Sequence, residues 1–138
     1  EEQRFCHIQE AASQNRFMIE TRLTGNGTWC ADTFIGSAGR NNTLIDRSLT
    51  HPCDTWHTVA ITFDGHTMKQ YVNGEFELSR TVEAYTPMKP GQTSLGVRQN
   101  RVYWFKGSIA QVRFADRALS AEELLLPPRL QNESVPDR

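Results

Sequence analysis

The residues best suited to chemistry cluster early in the chain. His51, Pro52 and Cys53 are followed by His57, which gives three candidate metal ligands of two types at zinc-like spacing. A fourth ligand is not evident nearby, and His57 reads as part of a strand while Cys53 suits a loop or a disulfide. A Cys–His nucleophile needs a glycine-rich oxyanion loop after the cysteine, and none follows any cysteine here. Calcium needs several oxygen ligands. Asp32, Asp46 and Asp54 are available, with loop carbonyls near Gly25 to Thr28, but no EF-hand loop is present. They read as turn carboxylates, with Ca²⁺ as the alternative cofactor and no cofactor as the main expectation. Glu20 alternates with apolar residues and lies beside Arg22, so an ion pair to Arg22 or Arg113 is its expected role. A lone Glu cannot serve as both acid and nucleophile in glycoside hydrolysis. No catalytic residue is therefore assigned.

Aromatic rings can stack on sugars when a flat apolar face is flanked by polar groups. Trp29 follows a Gly-rich turn, and Tyr103 and Trp104 are adjacent, so one points inward and one outward. The candidate ligand-binding set is Asn26, Trp29, Asn41, Arg98, Asn100 and Trp104, with loop polarity as the plain reading of each. Cys30 and Cys53 sit in polar, turn-rich stretches and are a candidate disulfide, or else free thiols. With Cys6 they make an odd count of three. Sequons occur at Asn26, Asn41 and Asn132.

The elements that must hold these residues follow a period of two. Phe17, Ile19, Thr21 and Leu23 alternate with Met18, Glu20 and Arg22 before the Gly25-Asn26-Gly27 break. Shorter candidates cover 33–35 and 43–45, and His51-Pro52 reads as a loop. Val59, Ile61 and Phe63 share one strand face with His57, opposite Trp56, Thr58, Ala60 and Thr62. Asp64-Gly65 and Asn73-Gly74 are hairpin signals, because glycine tolerates positive φ there. They predict a three-strand meander through 75–80. Further strands are expected at 93–97, 102–106 and 108–115. Ser120 and Glu123 form a capping box for a short helix over 121–126, stopped by Pro127-Pro128. Residues 127–138 are polar and read as a linker or tail, which suits a module within a longer protein.

The 138 residues suit one domain. A net charge of −1 gives no basic excess for nucleic acid, and no apolar run approaches the roughly 18 residues of a membrane span. About nine or ten short strands and no βαβ alternation predict an all-β sandwich or barrel.

Two stretches carry a family resemblance. Trp56-His57-Thr58-Val59-Ala60-Ile61-Thr62-Phe63-Asp64-Gly65, with Met68 to Gly74, resembles the central hairpin of laminin G-like domains. Phe105-Lys106-Gly107-Ser108-Ile109-Ala110-Gln111-Val112-Arg113-Phe114, with Ala118 to Leu124, is similar to their closing segment. Ala110-Gln111 replaces the Asp-Glu pair frequent there, and Gln70 stands where an apolar residue is usual. The resemblance implies a laminin G-like, concanavalin A-like domain over 1–126. Its fold would be an antiparallel two-sheet jelly roll with one short C-terminal helix and Trp56 in the core or over a sheet edge. It implies a non-catalytic module that binds carbohydrate or an extracellular protein, in a secreted or periplasmic setting. Glucanases on this scaffold carry two acids on one strand, a pattern absent here, so a polysaccharide hydrolase or lyase is the remote alternative.

Overall fold

A computed structural model describes residues 1–125. The chain forms nine strands and one short helix among these residues. The strands are β1 (Glu2–Glu10), β2 (Arg16–Gly25), β3 (Thr28–Ser37), β4 (Arg40–Ile45), β5 (His51–Pro52), β6 (Val59–Phe63), β7 (Thr67–Val72), β8 (Glu75–Thr81) and β9 (Gly91–Leu95). The helix α1 is Ala121–Leu125. All pairings are antiparallel. The larger sheet has the order β4-β3-β2-β1-β9, with β5 added beside the start of β3, and the smaller sheet has the order β6-β7-β8. The fold is the expected concanavalin A-like sandwich.

The alternating pattern decides which side chains meet between the sheets. Ile35, Leu44, Met68 and Val82 form one buried cluster, lined by Phe17, Ile61, Phe63, Leu78 and Tyr85. Trp29, Ala31 and Val72 form a second, with Cys53 and Val59 against it. Both hairpin signals hold. Asp64 accepts the N–H groups of His66 and Thr67, and Asn73 adopts φ 52° before Gly74 at φ 77°. The Ser120 capping box also forms: Glu123 N–H donates to Ser120 Oγ, and Ser120 N–H donates to the Glu123 carboxylate at 2.8 Å.

Several expectations need correction. Residues 1–16, which no motif places, supply β1. His51-Pro52 is a two-residue strand against Thr28-Trp29. No strand forms over 102–106 or 108–115. Arg101 and Tyr103 adopt φ 63° and 58°, which breaks an extended run. The alternation of Ala110, Val112 and Phe114 names a face, but among the described residues neither sheet takes the segment in. Trp56 is 70% exposed. The ring that turns inward is His57, packed edge-on 5.1 Å from Trp29. Leu126 and the 127–138 tail lie outside the described residues, as does Asn132.

Candidate functional site

The face of the large sheet that turns away from the small one carries charge. On β1, β2 and β3, the cross-strand partners Glu2–Arg22, Arg4–Glu20 and Glu20–Asp32 place five ionic side chains side by side. Arg4, Glu20 and Asp32 are buried. Arg4 pairs with Glu20 and with Glu2 at 2.7 Å, and Arg22 pairs with Glu2 at 2.6 Å and Asp32 at 2.7 Å. Burial pushes the Asp32 carboxyl up, against the opposing pull of Arg22. Burial likewise holds Arg4 below its ordinary value, while Asp32 and Glu2 outweigh burial and raise Arg22. These carboxylates are charge partners, not acids aimed at an open cleft.

Residues 96–106 form a loop fastened over this ladder. Gly96 N–H donates to Phe5 O, Arg4 N–H to Tyr103 O, and Lys106 N–H to Gln3 Oε1. The loop closes on itself through Phe105 N–H to Gly96 O at 2.8 Å and Arg98 N–H to Val102 O at 3.1 Å. Gln99 reaches the buried His7. Its backbone N–H donates to Nδ1, while its amide donates to the carbonyls of His7 and Gln92. His7 also lies 3.0 Å from Gln9 Oε1 through Nε2. Burial lowers the His7 imidazole to about 4, helped by the Arg98, Arg4 and Arg16 charges.

Fastened in this way, the loop orients two rings differently. Tyr103 lies beneath the guanidinium groups of Arg4 at 5.1 Å and Arg98 at 5.9 Å. Trp104 points outward at 60% exposure, with its indole N–H donated to Arg101 O. Arg98, Asn100 and Trp104 thus lie on the same pinned loop.

The other expected residues are elsewhere. Asn26 is exposed at the β2–β3 turn, and Asn41 is exposed beyond the β3–β4 turn. Asn41 pairs with Gly36 near the far end of β3, so the two lie on the order of 25 Å apart along the strand. Asn41 lines a shallow polar cleft with Arg40, Arg80 and Glu83. Trp29 is no stacking platform. It is buried in the core, with its indole N–H donated to Pro52 O.

The expected Cys30–Cys53 bridge does not form, and Cys6, Cys30 and Cys53 are all free thiols. Cys53 packs on the Trp29 side of β3, and Cys30 alternates to the opposite face, so the sheet lies between them. His51 turns instead to Glu77, 2.6 Å away, which accepts from Gln70, which in turn accepts from Thr33. Among the described residues no three His, Cys, Asp or Glu side chains converge as a metal site. Asp32 is paired with Arg22, Asp46 caps Ser48, and Asp54 is exposed.

Neither the ionic ladder nor the Gln99–His7 clasp has a motif in the sequence. Glu20 and Arg22 alternate on β2, but Glu2 and Arg4, which complete the ladder, lie on β1, which no local pattern marks.

Comparison with known proteins gives a family. The laminin G-like family model described as the concanavalin A-like lectin/glucanases superfamily matches residues 2–125. No curated protein matches. A solved structure, of an S-layer domain-containing protein from Clostridium thermocellum ATCC 27405, is 21% identical, with a TM-score of 0.35. The match covers 89% of this chain and 61% of that one, so this chain spans less than two thirds of its length.

Proposed function

We propose that this chain, which belongs to the concanavalin A-like lectin/glucanases superfamily, is a non-catalytic carbohydrate-binding module whose ligand sits on the 96–106 loop. The observation that carries the reading is Trp104. It is a large ring held 60% exposed on a loop fastened to the sheet at several points. Exposure of this size on a fixed support suits stacking against a sugar ring, because little side-chain or loop entropy is lost on binding. Arg98, Asn100 and Arg101 lie on the same loop and carry donors for hydroxyl groups. Arg101 and Tyr103 on this loop adopt positive φ, a backbone strain of the kind that binding loops carry. An exported protein is the setting proposed for such a module.

Binding rather than hydrolysis is favoured by the state of the acids. Glu20 and Asp32 are buried and committed to Arg4 and Arg22. A glycan array tests the proposal. Saturable binding of a glycan class that Trp104→Ala weakens at least about tenfold, with Trp29→Phe leaving it unchanged, supports it. Binding of no glycan overturns it, as does turnover of a polysaccharide abolished by Glu20→Gln.

A further inference from the structure

The dipeptide Asn-Gly occurs twice in the chain, at Asn26-Gly27 and Asn73-Gly74. Its chemistry is distinctive because glycine, with no Cβ, leaves its backbone nitrogen open to the carboxamide carbon before it. Both pairs close two-residue hairpins with the same backbone. Asn26 and Gly27 adopt φ 51° and 70° between the paired residues Gly25 and Thr28. Asn73 and Gly74 adopt φ 52° and 77° between the paired residues Val72 and Glu75. Dipeptide and turn thus match at the two sites, and only the surroundings differ.

Asn73 is held at three points. Its N–H donates to Thr58 O at 2.7 Å, its Oδ1 accepts the Thr58 N–H at 2.9 Å, and its Nδ2 lies 3.1 Å from His57 Nδ1. Gly74 is crowded as well, since a Cβ placed there would meet Leu125 Cδ1 at 2.7 Å. Asn26 is exposed, and its side chain makes no hydrogen bond among the described residues. A Cβ at Gly25 or Gly27 would meet nothing within 4 Å. The turn is braced around Asn26 and not through it. Cys53 N–H donates to Gly27 O at 2.7 Å, and Thr28 Oγ1 donates to Gly25 O at 2.7 Å.

We propose that Asn26, and not Asn73, is a site of spontaneous covalent modification that converts its carboxamide to a mixture of aspartate and isoaspartate. The Gly27 backbone nitrogen gives its proton to solvent base and attacks Cγ of Asn26. The N–Cγ bond forms, the Cγ–Nδ2 bond breaks, Nδ2 leaves as ammonia, and a five-membered succinimide remains. Water then opens the ring. Attack at Cγ restores the normal backbone with an aspartate side chain. Attack at the main-chain carbonyl carbon of residue 26 routes the backbone through Cγ and leaves a free α-carboxylate. In sum a water is taken up and an ammonia released, with no oxidant or reductant. The isoaspartyl product lengthens a turn whose type demands two residues, which loosens the β2–β3 register. Its exposed α-carboxylate is the methyl acceptor that a carboxyl methyltransferase of the isoaspartate-repair class would take.

The test ages the full chain in mildly alkaline buffer at physiological temperature and follows its peptides by mass and by enzymatic methylation of isoaspartate. The Asn26 peptide should gain the mass of an amide-to-acid exchange, and accept methyl groups, at least about tenfold faster than the Asn73 peptide. That factor is expected because the Asn73 hydrogen bonds must break before attack. In denaturant the two peptides should convert at rates within a few-fold of each other. Asn26→Gly, which keeps a residue tolerant of positive φ, should abolish the early conversion and the fall in thermal midpoint that accompanies it.

Equal rates in the folded chain, faster conversion at Asn73, or no conversion at Asn26 overturns the proposal. A rate difference that persists undiminished in denaturant overturns it too, because the preference would then lie in the neighbouring sequence and not in the fold.

Discussion

The backbone N–H of Gln99 donates to Nδ1 of His7 at 3.3 Å, joining two residues 92 positions apart. The bond requires an unprotonated Nδ1, so it fixes the neutral imidazole with its proton on Nε2, facing Gln9 Oε1. Protonating Nδ1 would set one N–H against another and free the loop at its midpoint. The His7 ring is held at about 4 in the fold, against an ordinary 6.5. An unfolded chain thus takes up this proton first as the pH falls. The stability His7 contributes is complete above about pH 6.5 and is lost progressively down to about pH 4. The total is on the order of 3 kcal/mol. Thermal midpoints measured from pH 7.5 to 4 should fall more steeply for the natural chain than for His7→Gln. Parallel curves for the two proteins would refute the assignment.

A second expectation concerns the thiols. Cys6 and Cys30 are buried, and burial raises both, Cys6 to about 11. Neither offers a thiolate to a reagent near neutral pH. Cys53 is half-buried beside Trp29. Ellman titration without reductant should therefore find one readily reacting thiol in native protein and three in denaturant. A single thiol in denaturant would mean that two cysteines are bridged after all.

Much of the architecture was legible because it rests on local rules. Phe17 to Leu23, Val59 to Phe63 and Met68 to Val72 alternate as half-buried strands must, and Asp64-Gly65 and Asn73-Gly74 mark turns whose backbone requires such residues. The helix cap was legible for the same reason, since Ser120 and Glu123 need only each other. What local pattern cannot convey is partnership. Ile109 to Phe114 alternates as well as any strand, yet among the described residues it joins neither sheet. Trp29 and Trp104 are both tryptophans near turns. Only the register of β3 against β5, and the fastening of 96–106 to β1, buries one ring and exposes the other. Gln70 looks misplaced until Thr33 and Glu77, 37 residues before it and 7 after, are seen to satisfy its amide.

The ionic ladder supplies the last prediction. Arg4 and Glu20 are paired at 3% and 2% exposure, so each removes the other's desolvation penalty. Replacing one alone strands its partner in a poorly hydrated place. Arg4→Met or Glu20→Leu should each cost about 3 kcal/mol in urea unfolding. The remaining contacts, Arg4 with Glu2 and Glu20 with Arg22 at 3.8 Å, keep the loss from growing larger. The double variant Arg4→Met/Glu20→Leu buries apolar atoms in place of both charges and should come within about 1 kcal/mol of the natural chain. The Arg22 pairs to Glu2 and Asp32 do not involve either substituted residue. Additive losses in the double variant would mean that the two side chains do not act as a pair, and that the ladder is held by Arg22 alone.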